Sequence, residues 1–183
     1  MSEEALGSKA RIGATSTRPS NAVGKSAHAA ATIAIAGFAA GAIDLGFNLV
    51  KSLNAGTSVL RPWKGVAAAL LGKDAVIHGG DSMALIGVAL HFVITIGAAA
   101  IYYLVAKRQG WLVRHPILSG VVFGILFFLA MNYVILPLSV IGRPLYVGAE
   151  TIATALPGHI LMIGLPISMI IGWRLKNANP SQN

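Results

Sequence analysis

The chain has no cysteine. That removes disulfides, thiolate metal ligands, iron–sulfur clusters and thiol nucleophiles together, and leaves the redox compartment open. Charge is also scarce: Asp, Glu, Lys and Arg make up 11% of 183 residues, and only six of those residues are acidic. So little polar surface cannot cover a soluble core of this size. The familiar catalytic signatures are missing too. There is no Ser-His-Asp spacing, glycine-rich phosphate loop, HExxH or nucleophile elbow, so an enzyme of a standard class is disfavoured. The net charge of +8 could suggest nucleic acid, but the basic residues sit at the ends of hydrophobic runs and form no stripe, so no nucleic-acid partner is expected.

What is present is apolar. Hydrophobic residues make up 55% of the chain, there are 21 glycines, and the mean hydropathy is +0.72. These values place the protein in a lipid bilayer, as one domain with room for several crossings of about 20 residues each. Four runs are long enough to cross, at about 28–50, 82–106, 116–141 and 152–173. The expected fold is an all-α four-helix antiparallel transmembrane bundle over 28–174. It is flanked by a flexible basic tail at 1–27 and a polar tail at 175–183. The first run starts too far along the chain for a cleaved signal peptide, and Glu3 and Glu4 argue against a mitochondrial presequence.

Basic residues set the orientation. Lys9, Arg11, Arg18, Lys25, Lys107, Arg108, Arg114, Arg174 and Lys176 lie on one side, against Lys51, Arg61, Lys64, Lys73 and Arg143 on the other. Nine against five predicts a multi-pass protein with both termini cytoplasmic. Tyr102, Tyr103, Trp111 and Trp173 fall at span ends, where amphipathic rings prefer to lie. In the long outer loop, LRPWKGVAAALL puts Leu60, Trp63, Ala67, Leu70 and Leu71 on one helical face. About ten residues cannot span, so a short interfacial helix lying on or dipping into the outer surface is expected, begun by Pro62 and ended by Gly72. The following KDAVIHGGDS offers Asp74, His78 and Asp81, either as a cation site or with Asp81 simply capping the second span.

The spans themselves carry polar groups. Gly37, Gly41, Asp44 and Asn48 step by four, three and four residues, so they share one face of the first helix. Gly120, Gly124, Phe128 and Asn132 do the same on the third, and both stripes carry a GxxxG spacing that lets another backbone approach closely. The second span offers Gly87, His91 and Thr95, and the fourth offers Ala155 and His159 between Pro157 and Pro166. Helical rise puts Asp44 about 9 Å, His91 about 13 Å, Asn132 about 14 Å and His159 about 10 Å from the outer ends, all in the outer half. An ionised carboxylate in hydrocarbon is costly, so Asp44 must be protonated or paired, with His91 and His159 as available partners.

The run GKDAVIHGGDSMALIGVALHFVITIGAAAIYYLVAKR and the later AMNYVILPLS resemble a family of small bacterial inner-membrane proteins with four predicted transmembrane helices and no assigned activity. The resemblance covers most of residues 30–174. It implies a bacterial inner membrane and marks Asp44, His91 and Asn132 as parts of the pattern, without implying a reaction.

Three functional classes follow. In one, Asp44, Asn48, His91, Asn132 and His159 form an intramembrane binding site for a proton, cation or small ligand, as in a small transporter, with Asp44, His91 and His159 as candidate metal ligands. In another, the polar residues are interhelical glue in a structural or accessory subunit, docked on another membrane protein or on a second copy of the chain. In the third, His91 and His159 are the axial ligands of a haem.

Overall fold

The structure of the protein is a computed structural model that describes residues 20–178. It is all-helical among the described residues. Helix α1 spans Ser20–Asn54 and leads by a short loop to α2, Arg61–Leu71. Then come α3, Lys73–His78, a 3-10 turn at Gly80–Ser82, and α4, Met83–Ala106. A short α5, Gly110–Arg114, turns the chain into α6, Pro116–Ala130. That helix continues through a π-helical turn at Met131–Ile135 into α7, Leu136–Leu138. Last, α8, Ala149–Gly158, passes through a second π-helical turn at His159–Gly164 into α9, Leu165–Ala178. Four helical segments are long and apolar enough to cross a membrane: Val23–Asn54, Gly80–Ala106, Pro116–Leu138 and Ala149–Ala178. The protein is thus a multi-pass, four-helix membrane bundle.

Two expected boundaries differ. Residues 20–27 and 175–178 are helical, because Ala, Lys and Leu continue the helices beyond the apolar windows. The remaining tail residues, 1–19 and 179–183, lie outside the described residues.

Large apolar side chains point outward along every span. Phe38, Val93, Ile101, Leu126, Leu129 and Leu161 are all exposed, an arrangement that water would not tolerate and lipid requires. Inside, α1 packs on α4 and on the α8–α9 segment, which packs in turn on α6. Small residues make this possible. A Cβ on Gly37 would come within 2.5 Å of the Ile96 Cα, and one on Gly41 within 2.8 Å of the Thr95 hydroxyl. On α6, a Cβ on Gly124 would lie 2.6 Å from the Ile160 Cα, and one on Gly120 would overlap the Ser168 hydroxyl. All four stripe glycines therefore mark real helix crossings. Where α1, α4 and α9 meet, Ala36, Ala40, Ala99, Tyr102, Ile167 and Ile171 build the main buried cluster.

The two π-helical turns have a common cause. Each ends two residues before a proline, Pro137 in one case and Pro166 in the other. A proline inside a helix donates no N–H and its ring crowds the carbonyl four residues back, so a wider turn upstream relieves the clash. These wide turns contain Asn132 and His159.

Helix α2 does more than lie on the surface. Its N-terminal Trp63 sits at Gly87 of α4, where only a glycine leaves room for the Trp63 carbonyl. Toward its other end, Ala67 and Ala68 pack with Val76 and Met83. The helix therefore runs antiparallel along the N-terminal part of α4, with its own N-terminus farthest along that helix. The buried face is Trp63, Ala67 and Ala68, while Leu70 and Leu71 are exposed rather than sharing that face. Packing against α4, not the interface plane, chooses the face.

Candidate functional site

Asp44 is half-buried and turned toward α4. Its Oδ2 lies 3.8 Å from Nε2 of His91, and the same Nε2 is 3.1 Å from the Gly41 carbonyl oxygen. A proton on Nε2 is thus directed at the α1 backbone one turn from the carboxylate. Asn48 completes the group: its Nδ2 donates to Asp44 Oδ2 at 3.1 Å and to the Asp44 carbonyl at 2.9 Å. The 4-residue spacing of Asp44 and Asn48 on one helix makes this pairing possible.

The surroundings of the pair are aromatic. The indole of Trp63 meets the His91 ring edge-on at 5.2 Å, and Phe92 flanks it at 5.6 Å. Trp63 is buried, so the N-terminus of α2 roofs the histidine. Sequence reading put Trp63 on an amphipathic face but gave no sign that it would descend to the level of His91. The signal that could have found it is Gly87, a glycine in a span opposite the only tryptophan between α1 and α4.

His159 lies on the other side of Asp44. Its Nδ1 is 2.9 Å from the Ala155 carbonyl, and its ring packs against Phe127 and Phe128 at 5.9 and 5.3 Å. It forms no ion pair with Asp44. The neighbouring Gly158 faces the Phe47 ring of α1, one turn beyond Asp44's level.

Asn132 has a different task. Its Oδ1 accepts the backbone N–H groups of Leu145 and Tyr146 at 3.1 and 3.0 Å, and its Nδ2 donates to the Tyr146 carbonyl at 2.9 Å. The side chain is 1% exposed and spends its whole amide on the loop between α7 and α8. It does not join Asp44 directly. It does draw in Tyr146, whose ring lies tilted beside Phe128 at 6.0 Å. Burial and, secondarily, the negative charge of Asp44 push the Tyr146 phenol above its usual pKa. That loop tyrosine is invisible in the sequence pattern.

The proposed ligand sets fare differently. Among the described residues no three His, Asp or Glu side chains gather closely enough to hold one metal ion, so Asp44, His91 and His159 do not form a three-ligand site. The same holds for Asp74, His78 and Asp81. Lys64 pairs with Asp81 at 2.6 Å, and His78 turns back to the Asp74 carbonyl. Asp81 does not cap α4 either, since no side-chain bond closes that helix start. A haem between His91 and His159 would need both rings facing a shared slot. His91 instead directs Nε2 at Gly41 under Trp63, and His159 is enclosed by Phe127 and Phe128.

What the arrangement can do is hold and exchange a proton: one carboxylate, one imidazole at near-contact, a second imidazole and a phenol nearby, all within one end of the bundle. Comparison of the chain with protein-family models, with curated proteins and with solved structures returns no match.

Proposed function

We propose that the protein is a bacterial inner-membrane protein with both termini cytoplasmic, whose Asp44–His91 pair binds and releases a proton or small cation from the outer side. The observation that carries this reading is the choice of partner. Asp44 is the one carboxylate deep in a span among the described residues, and it is balanced by a titratable imidazole rather than by a Lys or Arg. A fixed cation would hold the carboxylate permanently ionised, whereas an imidazole can itself gain or lose a proton. Asn48 holds the carboxylate in place without adding charge. The excess of basic residues on the side of the termini supports the orientation.

The test is infrared difference spectroscopy of the purified protein in lipid as pH is stepped, read against Asp44→Asn. A carboxylic C=O band that appears on acidification and is missing in Asp44→Asn supports the proposal. A spectrum identical in the two proteins defeats it. Proton flux into vesicles, abolished by Asp44→Asn and reduced by His91→Ala without additivity, would then separate a transporter from a sensor.

The accessory-subunit reading gains one observation, namely that Asn132 is wholly structural. It loses another. Both GxxxG stripes are used inside the bundle, so neither is left on the lipid face to dock a partner.

A further inference from the structure

Helices α4 and α6 are neighbours in the chain but do not pack closely on one another; their contacts go to α1, α2 and the α8–α9 segment instead. Between them lies a cavity of about 390 Å³, walled by Ala98, Ile101 and Val105 of α4, by Trp111 of α5, and by Val122 and Leu126 of α6. Its two hydroxyl groups, on Tyr102 and Ser119, are hydrogen-bonded to each other at 2.7 Å, and the Trp111 indole is the remaining lining side chain with a polar atom. The groove runs along α6 from Ser119 to Ala130, which at helical rise is about 16 Å. One leaflet of hydrocarbon is half of about 30 Å. The groove therefore matches a single acyl chain in length and chemistry.

Charge identifies the headgroup. The groove closes against α5, and the residues on either side of that turn are Lys107, Arg108, Arg114 and His115. No Asp or Glu occurs anywhere between Asp81 and Glu150. Among the described residues, Arg108 and Arg114 make no ion pair, and the one contact of Lys107 is with the face of Tyr103. An apolar slot one leaflet long, ending at unneutralised guanidinium groups, is complementary to a phosphate ester carrying a hydrocarbon tail. We propose that the α4–α6 groove holds one anionic phospholipid of the α5-side leaflet, with an acyl chain along Leu126 and Val122 and the phosphate at Arg108 and Arg114.

The test uses full-length protein in mild detergent and native mass spectrometry, with phosphatidylglycerol and phosphatidylcholine of identical chains added at equal concentration. Wild type should retain one phosphatidylglycerol in preference to phosphatidylcholine by about tenfold or more, as two basic side chains at an anionic headgroup imply. The double variant Arg108→Gln/Arg114→Gln should bind both lipids alike. Leu126→Trp, which fills the slot from its lipid-exposed side and keeps every charge, should lose both lipids. Val122→Trp on the same wall carries this arm if the first variant does not fold. Equal retention of the two lipids by wild type overturns the proposal. So does an unchanged preference in the arginine variant, undiminished binding after the slot is filled, or a dimer or neutral isoprenoid occupying the groove instead. These outcomes are independent of the Asp44–His91 pair, which sits at the other end of the bundle.

Discussion

Two glycines in the same membrane separate helix propensity from helix packing. Gly97 lies in the middle of α4 and a Cβ there would meet nothing within 4 Å. Gly124 lies in α6 and a Cβ there would come within 2.6 Å of the Ile160 Cα and 3.0 Å of the His159 carbonyl oxygen. Both are helical, so Gly→Ala removes a similar backbone entropy cost at each, about 1 kcal/mol in favour of alanine. At Gly97 nothing opposes that gain. At Gly124 the obstacle is backbone, which cannot rotate away, so the α6 and α8–α9 segments must separate. Overpacking of this kind costs about 1–3 kcal/mol. The propensity gain is common to both and cancels, so the expected difference between the two alanine variants is the overpacking cost itself, about 1–3 kcal/mol, with Gly97→Ala above wild type and Gly124→Ala at or below it. Reversible unfolding in mixed micelles of mild and denaturing detergent measures it. If the two variants differ by less than about 0.5 kcal/mol, a value expected for sites with no specific contact, the helices are not in contact at Gly124 and the reasoning fails.

Asn132→Ala should destabilise by about 2 kcal/mol, since three hydrogen bonds are lost at a typical membrane value of about 0.6 kcal/mol each; it should also open the 139–148 loop to protease. Wild-type cleavage rates would show that the loop is held by something else. Burial and Asp44 keep the Tyr146 phenol protonated above its ordinary pKa of about 10, so its stabilising contribution is intact below that pH and is lost as pH rises through the higher folded-state value. Alkaline unfolding should accordingly be less steep in Tyr146→Phe, and superimposable curves would refute the placement of that hydroxyl. Single cysteines introduced at Thr57 and Asn177 of this cysteine-free chain should be labelled by an impermeant reagent from opposite faces of intact cells, Thr57 from outside. Labelling of Asn177 from outside would reverse the topology.

The bundle was readable from the sequence because lipid imposes a strong constraint: spans must be long, apolar and helical. Periods of three and four then placed Gly37, Gly41, Asp44, Gly120, Gly124 and Asn132 on the correct inward faces. Less was readable of the site. Asp44, Asn48 and His91 do meet, but the pattern could not say that Asn132 would turn away to hold a loop, because a loop's path leaves no periodic trace. Nor could it show Trp63 over His91, since the descent of α2 depends on tertiary packing against Gly87. Leu70 and Leu71 were misplaced for the same reason, as the spacing of apolar residues along a helix cannot tell a lipid-facing side from a protein-facing one. The π-helical turns had a visible signal in Pro137 and Pro166, but proline alone does not specify whether a helix kinks, breaks or widens.

The packing glycines and the titratable pair depend on each other. His91 reaches the Gly41 carbonyl only because Gly41 lets α1 and α4 approach; a side chain there would strike Phe92 and Thr95, which follow His91 within one turn of its own helix. That approach places Asp44, one turn along α1, within 3.8 Å of the imidazole. Gly87 plays the equivalent part on the other side, admitting Trp63 so that its ring covers His91. Two glycines therefore set the distance and the polarity of one acid–base pair.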